Sequence, residues 1–263
     1  MSPEEAAYQV MLEVSETLSE CGEFVVIGGW VPELHFPNRG HAGSIDVDVV
    51  LSPDKFAIQI NLQDHLQKNG YVRSEKLTPT RYLRSVPGLK DDVAVDLLTT
   101  PFHLGKRVNE VDIGGIKVGS LPGLDLALLC HDLVEMQGED TTGRVRRVSV
   151  KVARPEAFVL IKAFPLDRRK KAKDAYDIAF ILQYYQPSLR HLAARMAPLV
   201  ETDSGAESYD LLRKHFNRLD SDGPSKAAEF ARELGQDSSQ MRQAAYQDAQ
   251  DLFHALTIAR GEF

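Results

Sequence analysis

A glycine pair, Gly28-Gly29, followed by the run Gly43-Ser44-Ile45-Asp46-Val47-Asp48-Val49-Val50-Leu51, constrains this chain more than any other feature. Side chains alternate faces along a strand, so Asp46 and Asp48 project from one side and Val47 and Val49 from the other. Two carboxylates about 7 Å apart on one strand face repel each other unless a cation lies between them. Hard divalent cations prefer such oxygens, and a glycine turn lets phosphate approach the backbone closely. The pattern therefore demands a strand with one core face and one acidic face, and reads as a site for a metal–nucleotide complex.

At 263 residues, 43% hydrophobic and 26% charged, the chain has material for one large domain or two small ones. Met1 to Glu20 places Ala6, Val10, Met11, Val14 and Leu18 at helical spacing. It lacks the basic start and apolar block of a signal peptide, and no stretch is long enough to span a bilayer. Cys21 and Cys130 have no metal-like spacing, and buried free thiols in a reducing cytoplasm are the expectation for both.

The net charge of −7 argues against a general nucleic-acid binder, but its distribution is uneven. Arg144 to Lys173 holds eleven Lys/Arg, Lys170 among them, against Glu156 and Asp167, a balance of +9 that leaves −16 for the remainder. Such a stretch suits a polyanionic substrate or, more simply, a solvated helix end.

Along the chain, a buried strand is expected over Glu23–Gly28, a short helix over Trp30–Leu34, a loop at Asn38-Arg39-Gly40-His41 and the acidic strand over Ile45–Leu51. Ser52-Pro53-Asp54 would cap a helix from Lys55 to Lys68. Strands are expected over Arg81–Val86, Val93–Thr99, Ile113–Val118 and Val148–Val152, with a helix over Gly123–Gln137. From Pro155 onward the pattern is helical, with polar linkers near Thr202–Ala206 and Ser221–Ser225. The predicted fold is α/β, a small twisted mixed sheet flanked by helices, with domains at 1–154 and 155–263.

Asp96 lies in the run VAVDLLT. An acid at the centre of such a strand is costly to bury unless it has a partner. It would supply the third ligand that a two-ion phosphoryl-transfer site needs, with ions roughly 3.5–4 Å apart, or would pair with Arg81 or Arg84 on an adjacent strand. Lys162 sits among Phe158, Val159 and Ile161 and needs an anionic partner. Asp174 and Asp177 share a helix face one turn apart. They would hold Lys162, Lys173 or a ribose hydroxyl, or serve as an acidic first turn that favours the helix dipole.

Together these motifs resemble the nucleotidyltransferase superfamily, in which a GG or GS turn precedes D-x-D and a third Asp. The helical lysine in FVLIK and the later KAKDAYDI resemble, more narrowly, the AbiEii-type minimal nucleotidyltransferases, over roughly Phe24 to Leu182. The resemblance implies Mg²⁺, as two ions with Mn²⁺ as a substitute, held by Asp46, Asp48 and Asp96, the last also the base. It implies that Gly28, Gly29 and Ser44 contact an NTP, that Lys162 neutralises its phosphate tail, and that Asp174 and Asp177 order the helical side of the cleft. The implied partners are an NTP, an RNA acceptor such as a tRNA end, and a cognate antitoxin, with no membrane.

Trp30 stands where that family often has Thr or Ser, and the extra loop brings Arg39 and His41 as replacement contacts. Pro165 would interrupt the helix after Lys162. Trp30 suits a core position better than a base-stacking one. His131-Asp132 lacks the companions of a phosphohydrolase dyad and reads as a helix-surface pair. No phosphate loop of the G-x-x-x-x-G-K-[ST] type occurs. The activity implied is transfer of a nucleoside monophosphate to a hydroxyl, on RNA or alternatively on a protein or small-molecule acceptor. A silent nucleotide- or RNA-binding module is one rival, and a D-x-D glycosyltransferase the other.

Overall fold

The computed structural model describes residues 1–56, 60–74, 80–103, 106–169 and 171–261. The chain divides into two packed units, Met1–Leu34 with Gly43–Ala153, and His35–Ala42 with Arg154–Phe263.

The first unit opens with α1 (Pro3–Ser19), whose N-terminus is closed by a capping box between Ser2 and Glu5, with Pro3 in the first turn. Its apolar stripe packs across β1 (Gly22–Ile27), β2 (Asp46–Phe56), β5 (Val93–Thr99), β10 (His131–Glu139) and β11 (Val145–Ala153). With β3 (Tyr71–Arg73) and β4 (Arg81–Arg84) these strands form one sheet in the order β10-β11-β1-β2-β5-β4-β3. The β1–β11 and β2–β5 pairs are parallel and the other neighbours antiparallel. The remaining elements are α2 (Trp30–His35), α3 (Leu62–Lys68), the short β6 (Phe102–His103) and β7 (Lys106–Arg107) pair, the β8 (Glu110–Ile113) and β9 (Ile116–Gly119) hairpin, and α4 (Leu124–Leu129).

Several expected boundaries move. The helix expected from Lys55 starts only at Leu62, where the Asn61 side chain accepts the Asp64 N–H. β2 instead continues to Phe56, which pairs with Gly22, and residues 57–59 of that expected helix lie outside the described residues. The strand expected over Ile113–Val118 is a hairpin that turns at Gly114-Gly115, both at positive φ, as a two-residue hairpin turn requires.

The helix expected over Gly123–Gln137 stops at Leu129, and the rest becomes β10. Nine consecutive residue pairs with β11 override the helical spacing there. His131-Asp132 therefore lies on a strand rather than a helix surface. Asp140 fixes the β10–β11 turn by accepting N–H groups from Thr142 and Arg144. Cys21 is buried, which pushes its thiol up to about 11, whereas Cys130 is only half-buried.

The second unit is helical: α5 (Pro155–Arg169), α6 (Ala172–Tyr184), α7 (Leu189–Val200), α8 (Asp203–Phe216), α9 (Asp222–Glu233) and α10 (Ser238–Ala259). The polar stretches expected as linkers are helix starts, with Thr202 capping α8 through the Gly205 N–H and Ser221 at the N-cap of α9. α5 runs through Pro165 to Arg169, so the break that puts Lys162 and Asp174 on separate helices falls after the proline, not at it. α6 packs against α5, α9 and α10, and Tyr176, Phe180 and Ala231 form a cluster joined by Phe36 and Ala42. Among the described residues, no helix is long and apolar enough to cross a membrane.

Candidate functional site

Strand register assembles the acidic group. Asp48 on β2 stands directly opposite Asp96 on the parallel β5, and Asp46 lies two residues away on the same face. The three carboxylates each place an oxygen within 4.8 Å of the other two, and all three residues are half-buried. Oxygens on one hard cation at roughly 2.0–2.6 Å lie at most about 4–5 Å apart. The donor set, all carboxylate oxygen, and its spacing thus fit a divalent cation of the Mg²⁺ or Mn²⁺ type.

β5 alternates strictly, with Val93, Val95, Leu97 and Thr99 buried and Asp96 on the half-open face. Asp96 is therefore not sunk in an apolar strand. It sits beside the open face that its partners share.

Arg81 on β4 stands opposite Asp96 across the antiparallel pair. Its Nε donates to Asp96 Oδ1 at 2.7 Å and its Nη2 to Oδ2 at 2.5 Å. The ion-pair expectation for Asp96 is met at Arg81, and Asp96 also belongs to the acidic group. Each carboxylate oxygen retains a further lone pair beyond the one Arg81 takes. The Asp96 hydrogen bonds, against opposing burial and joined by the charges of Asp96, Asp46 and Asp48, raise the Arg81 guanidinium further above its ordinary value.

The glycine turn approaches the triad closely. Gly28 has φ +72°, and a Cβ there would collide with the Asp48 carboxylate, its Cγ at 2.9 Å. Only glycine meets both conditions. Gly29 leads into α2, where Trp30 is buried against Tyr8, ring centroids 5.8 Å apart, and its indole N–H donates to the Asp46 carbonyl at 2.9 Å. Trp30 is thus a core residue that also fixes the strand carrying the acids. The sequence offers no local signal for that bond. Ser44 Oγ donates to Asp46 Oδ1 at 2.6 Å, so its hydroxyl orients a carboxylate.

The helical unit gathers its own charged group. Lys162 Nζ lies 3.0 Å from Asp174 Oδ1 and 2.8 Å from Asp177 Oδ2, and 5.5 Å from the Phe158 ring centroid. Lys173 also pairs with Asp177, and Arg169 with Asp174. His41 Nε2 lies 2.9 Å from Asp177 Oδ1, both side chains fully buried, with its ring stacked on Tyr176 at 5.7 Å. Burial alone would raise the Asp177 carboxyl, but Lys162, Lys173 and His41 outweigh it and hold it far below the usual carboxylate range. Asp174 is lowered likewise, and the same two carboxylates raise Lys162 despite its burial. Asp174 and Asp177 thus hold Lys162, one of the partners the sequence left open.

Part of the basic run is similarly engaged. It spreads over β11, α5 and α6, with Arg146 paired to Asp140 and Glu16, and Lys151 to Glu23. With Lys162, Arg169 and Lys173 also paired, its charge argues less for a polyanionic acceptor than the sequence suggested. Lys170 lies outside the described residues.

No protein-family model and no curated protein sequence matches this chain. Among solved structures, a Helicobacter pylori protein described as a candidate nucleotidyltransferase superposes with a TM-score of 0.50 at 16% identity, covering 98% of each chain. JHP933 from Helicobacter pylori superposes with a TM-score of 0.50 at 14% identity, over 97% of this chain and 94% of that one. At such identities the likeness carries the fold, which is α/β and nucleotidyltransferase-like with a helical C-terminal part.

Proposed function

We propose that Asp46, Asp48 and Asp96 form the catalytic centre of a Mg²⁺-dependent nucleotidyltransferase that moves a nucleoside monophosphate from an NTP to a hydroxyl. The acceptor oxygen bonds to the α-phosphorus, the bond from that phosphorus to the bridging oxygen breaks, and pyrophosphate leaves with the electron pair. One observation carries the proposal: three carboxylates from two paired strands converge beside a glycine turn that only glycine can make. The likeness of fold to the Helicobacter pylori protein supports it.

Divalent ions, when bound, would neutralise the carboxylates and the charge developing on the phosphate oxygens. Asp46, Asp48 and Asp96 would hold them. Ser44 and the Trp30 indole fix Asp46 before any ligand arrives, and such fixing is what a positioning-dominated reaction requires. Asp96, held by Arg81 at both oxygens, would take or orient the acceptor proton with its remaining lone pairs. Gly28 would let the triphosphate reach the backbone. The narrower AbiEii-like reading, with an RNA acceptor and a toxin–antitoxin setting, rests on the Lys162 and Lys173-Asp174-x-x-Asp177 pattern alone.

One observation favours a rival. Arg81 already supplies Asp96 with a cation, as a silent binding module would need. Incubation with α-phosphate-labelled NTPs, Mg²⁺ and total RNA decides between them. Label transfer that is lost in Asp46→Asn supports the enzyme, and NTP binding without transfer to any acceptor supports the silent module.

A further inference from the structure

Apart from the acidic group, the helical unit encloses a cavity of about 260 Å³ between the 35–42 segment, α6 and the start of α10. Its floor is aromatic. Tyr176 and Phe180 are almost fully buried there, their ring centroids 6.2 Å apart, and Tyr184 packs on Phe180 at 4.6 Å. Met241 and Ala244 of α10 complete the apolar wall.

The rim is of another kind. Gln183, Gln236 and Gln240 bring three carboxamides to the opening, and exposed Arg39 holds its guanidinium 5.9 Å from the Tyr184 ring centroid. Gln236 Nε2 also donates to the Tyr176 hydroxyl at 3.4 Å. Asp237 is the acid on this rim, and its carboxylate accepts the Ser239 and Gln240 N–H groups at 2.9 and 3.0 Å as the cap of α10. Both bonds go to Oδ1 and the carboxylate keeps its charge, so the rim carries the exposed Arg39 cation, the Asp237 anion and neutral amides.

From this chemistry we infer that the cavity binds a single unstacked nucleobase, with Arg39 meeting the attached phosphate. Tyr176 and Phe180 back the cavity, and the half-buried Tyr184 ring is the face that would receive a base, with Arg39 beside it adding to the stacking. A carboxamide offers a donor and an acceptor side by side, the pattern that pairs with a base edge. The volume lies just below the range for drug-sized ligands, which suits one base better than an extended ligand. A long apolar ligand is disfavoured by the amide rim, and Arg39 beside Asp237 leaves no net rim charge to select a cation. The base would come from a free mononucleotide or from the end of an RNA strand. The inference stands independently of the acidic triad, since every lining residue belongs to the helical unit.

The test is calorimetric titration of the full chain, with EDTA present, by AMP, CMP, GMP and UMP and by short single-stranded oligoribonucleotides. EDTA removes divalent ions, so the triad cannot recruit a metal–nucleotide complex. Binding should weaken about tenfold or more in Arg39→Ala and in Ala244→Phe, which fills the cavity without removing a polar group. Asp46→Asn should bind as the parent does. Circular dichroism checks that each variant is folded, and Gln183→Ala, at an exposed position, provides a milder probe that should also weaken binding. Saturable binding of mononucleotides identifies the free nucleotide as the source, and binding of oligoribonucleotides alone identifies the RNA strand. Absence of binding by either probe at millimolar concentration overturns the inference, as does binding that Arg39→Ala, Ala244→Phe and Gln183→Ala all leave unchanged.

Discussion

Asp46, Asp48 and Asp96 on the sheet, and Asp174 and Asp177 on α6, are two groups of acids beside cationic side chains that differ in burial. On the sheet, three half-buried carboxylates face one another, and Arg81 holds Asp96. On the helix, two buried carboxylates are met by Lys162, Lys173 and Arg169, with His41 against Asp177. In the first group the acids stand close enough to one another to share a cation. The second is satisfied by its own neighbours. The same residue types thus build a candidate reaction centre in one unit and an internal brace in the other, and burial separates them.

The sharpest contrast comes from removing a charge in each group. Lys162→Met leaves Asp174 and Asp177 buried without their central cation, which costs roughly 3–5 kcal/mol. Calorimetric unfolding should show it as a large fall in Tm. Asp46→Asn or Asp96→Asn should instead lower nucleotidyl transfer on the order of 10³-fold, about 4 kcal/mol in barrier. Asp46→Asn should leave Tm unchanged or raised, because like charges facing each other on paired strands repel, whereas Asp96→Asn also weakens the Arg81 bonds and should lower Tm modestly. A stability loss for Asp46→Asn as large as that for Lys162→Met would erase the distinction between reaction centre and brace.

Arg81→Gln probes the boundary between the two cases. It should destabilise the metal-free protein by about 1–2 kcal/mol, through lost charge-assisted hydrogen bonds in a partly solvated site. Added Mg²⁺ should restore part of that loss. Denaturant unfolding with and without Mg²⁺ measures both effects, and a variant indifferent to Mg²⁺ would show that the ion does not act on the charge Arg81 balances. Trp30→Phe keeps the ring in the core but removes the bond to the Asp46 carbonyl, for about 1 kcal/mol and a several-fold loss of transfer.

The pH response is the gentlest test. Asp174 and Asp177 titrate lower when folded than when unfolded, so their contribution is complete above about pH 4, the ordinary carboxylate value, and fades as pH falls through the folded values. Lys162 titrates higher when folded, so its contribution is complete below about pH 10 and is lost only above that. These three groups should therefore add no pH dependence across the neutral range, as denaturant midpoints of the parent and of Lys162→Met at successive pH values would show.

Much of the acidic site could be read in the sequence because its signals are local. The D-x-D alternation and the VAVDLLT run each mark a strand face by themselves, and β5 has the expected bounds, Val93–Thr99. What was not local was not legible. Arg81 and Asp96 are joined by register, which decides between Arg81 and Arg84, and spacing alone left both open. LDLALLCHDLVEMQ carries apolar residues that suit a helix as well as a strand, and its second half becomes β10 only because β11 pairs with it. Asn38 to His41 reads as a loop, but His41 is drawn under α6 by Asp177 and two aromatic rings.

The central claim is that Asp46, Asp48 and Asp96 hold a divalent cation beside the Gly28 turn. Titration of the full chain with Mn²⁺, followed by electron paramagnetic resonance of the free ion, tests it without any assumption about substrate. Saturable uptake by the parent, abolished in the Asp46→Asn/Asp96→Asn double variant and unchanged in Asp174→Asn, is the predicted result. Equal uptake by the parent and the double variant would contradict it.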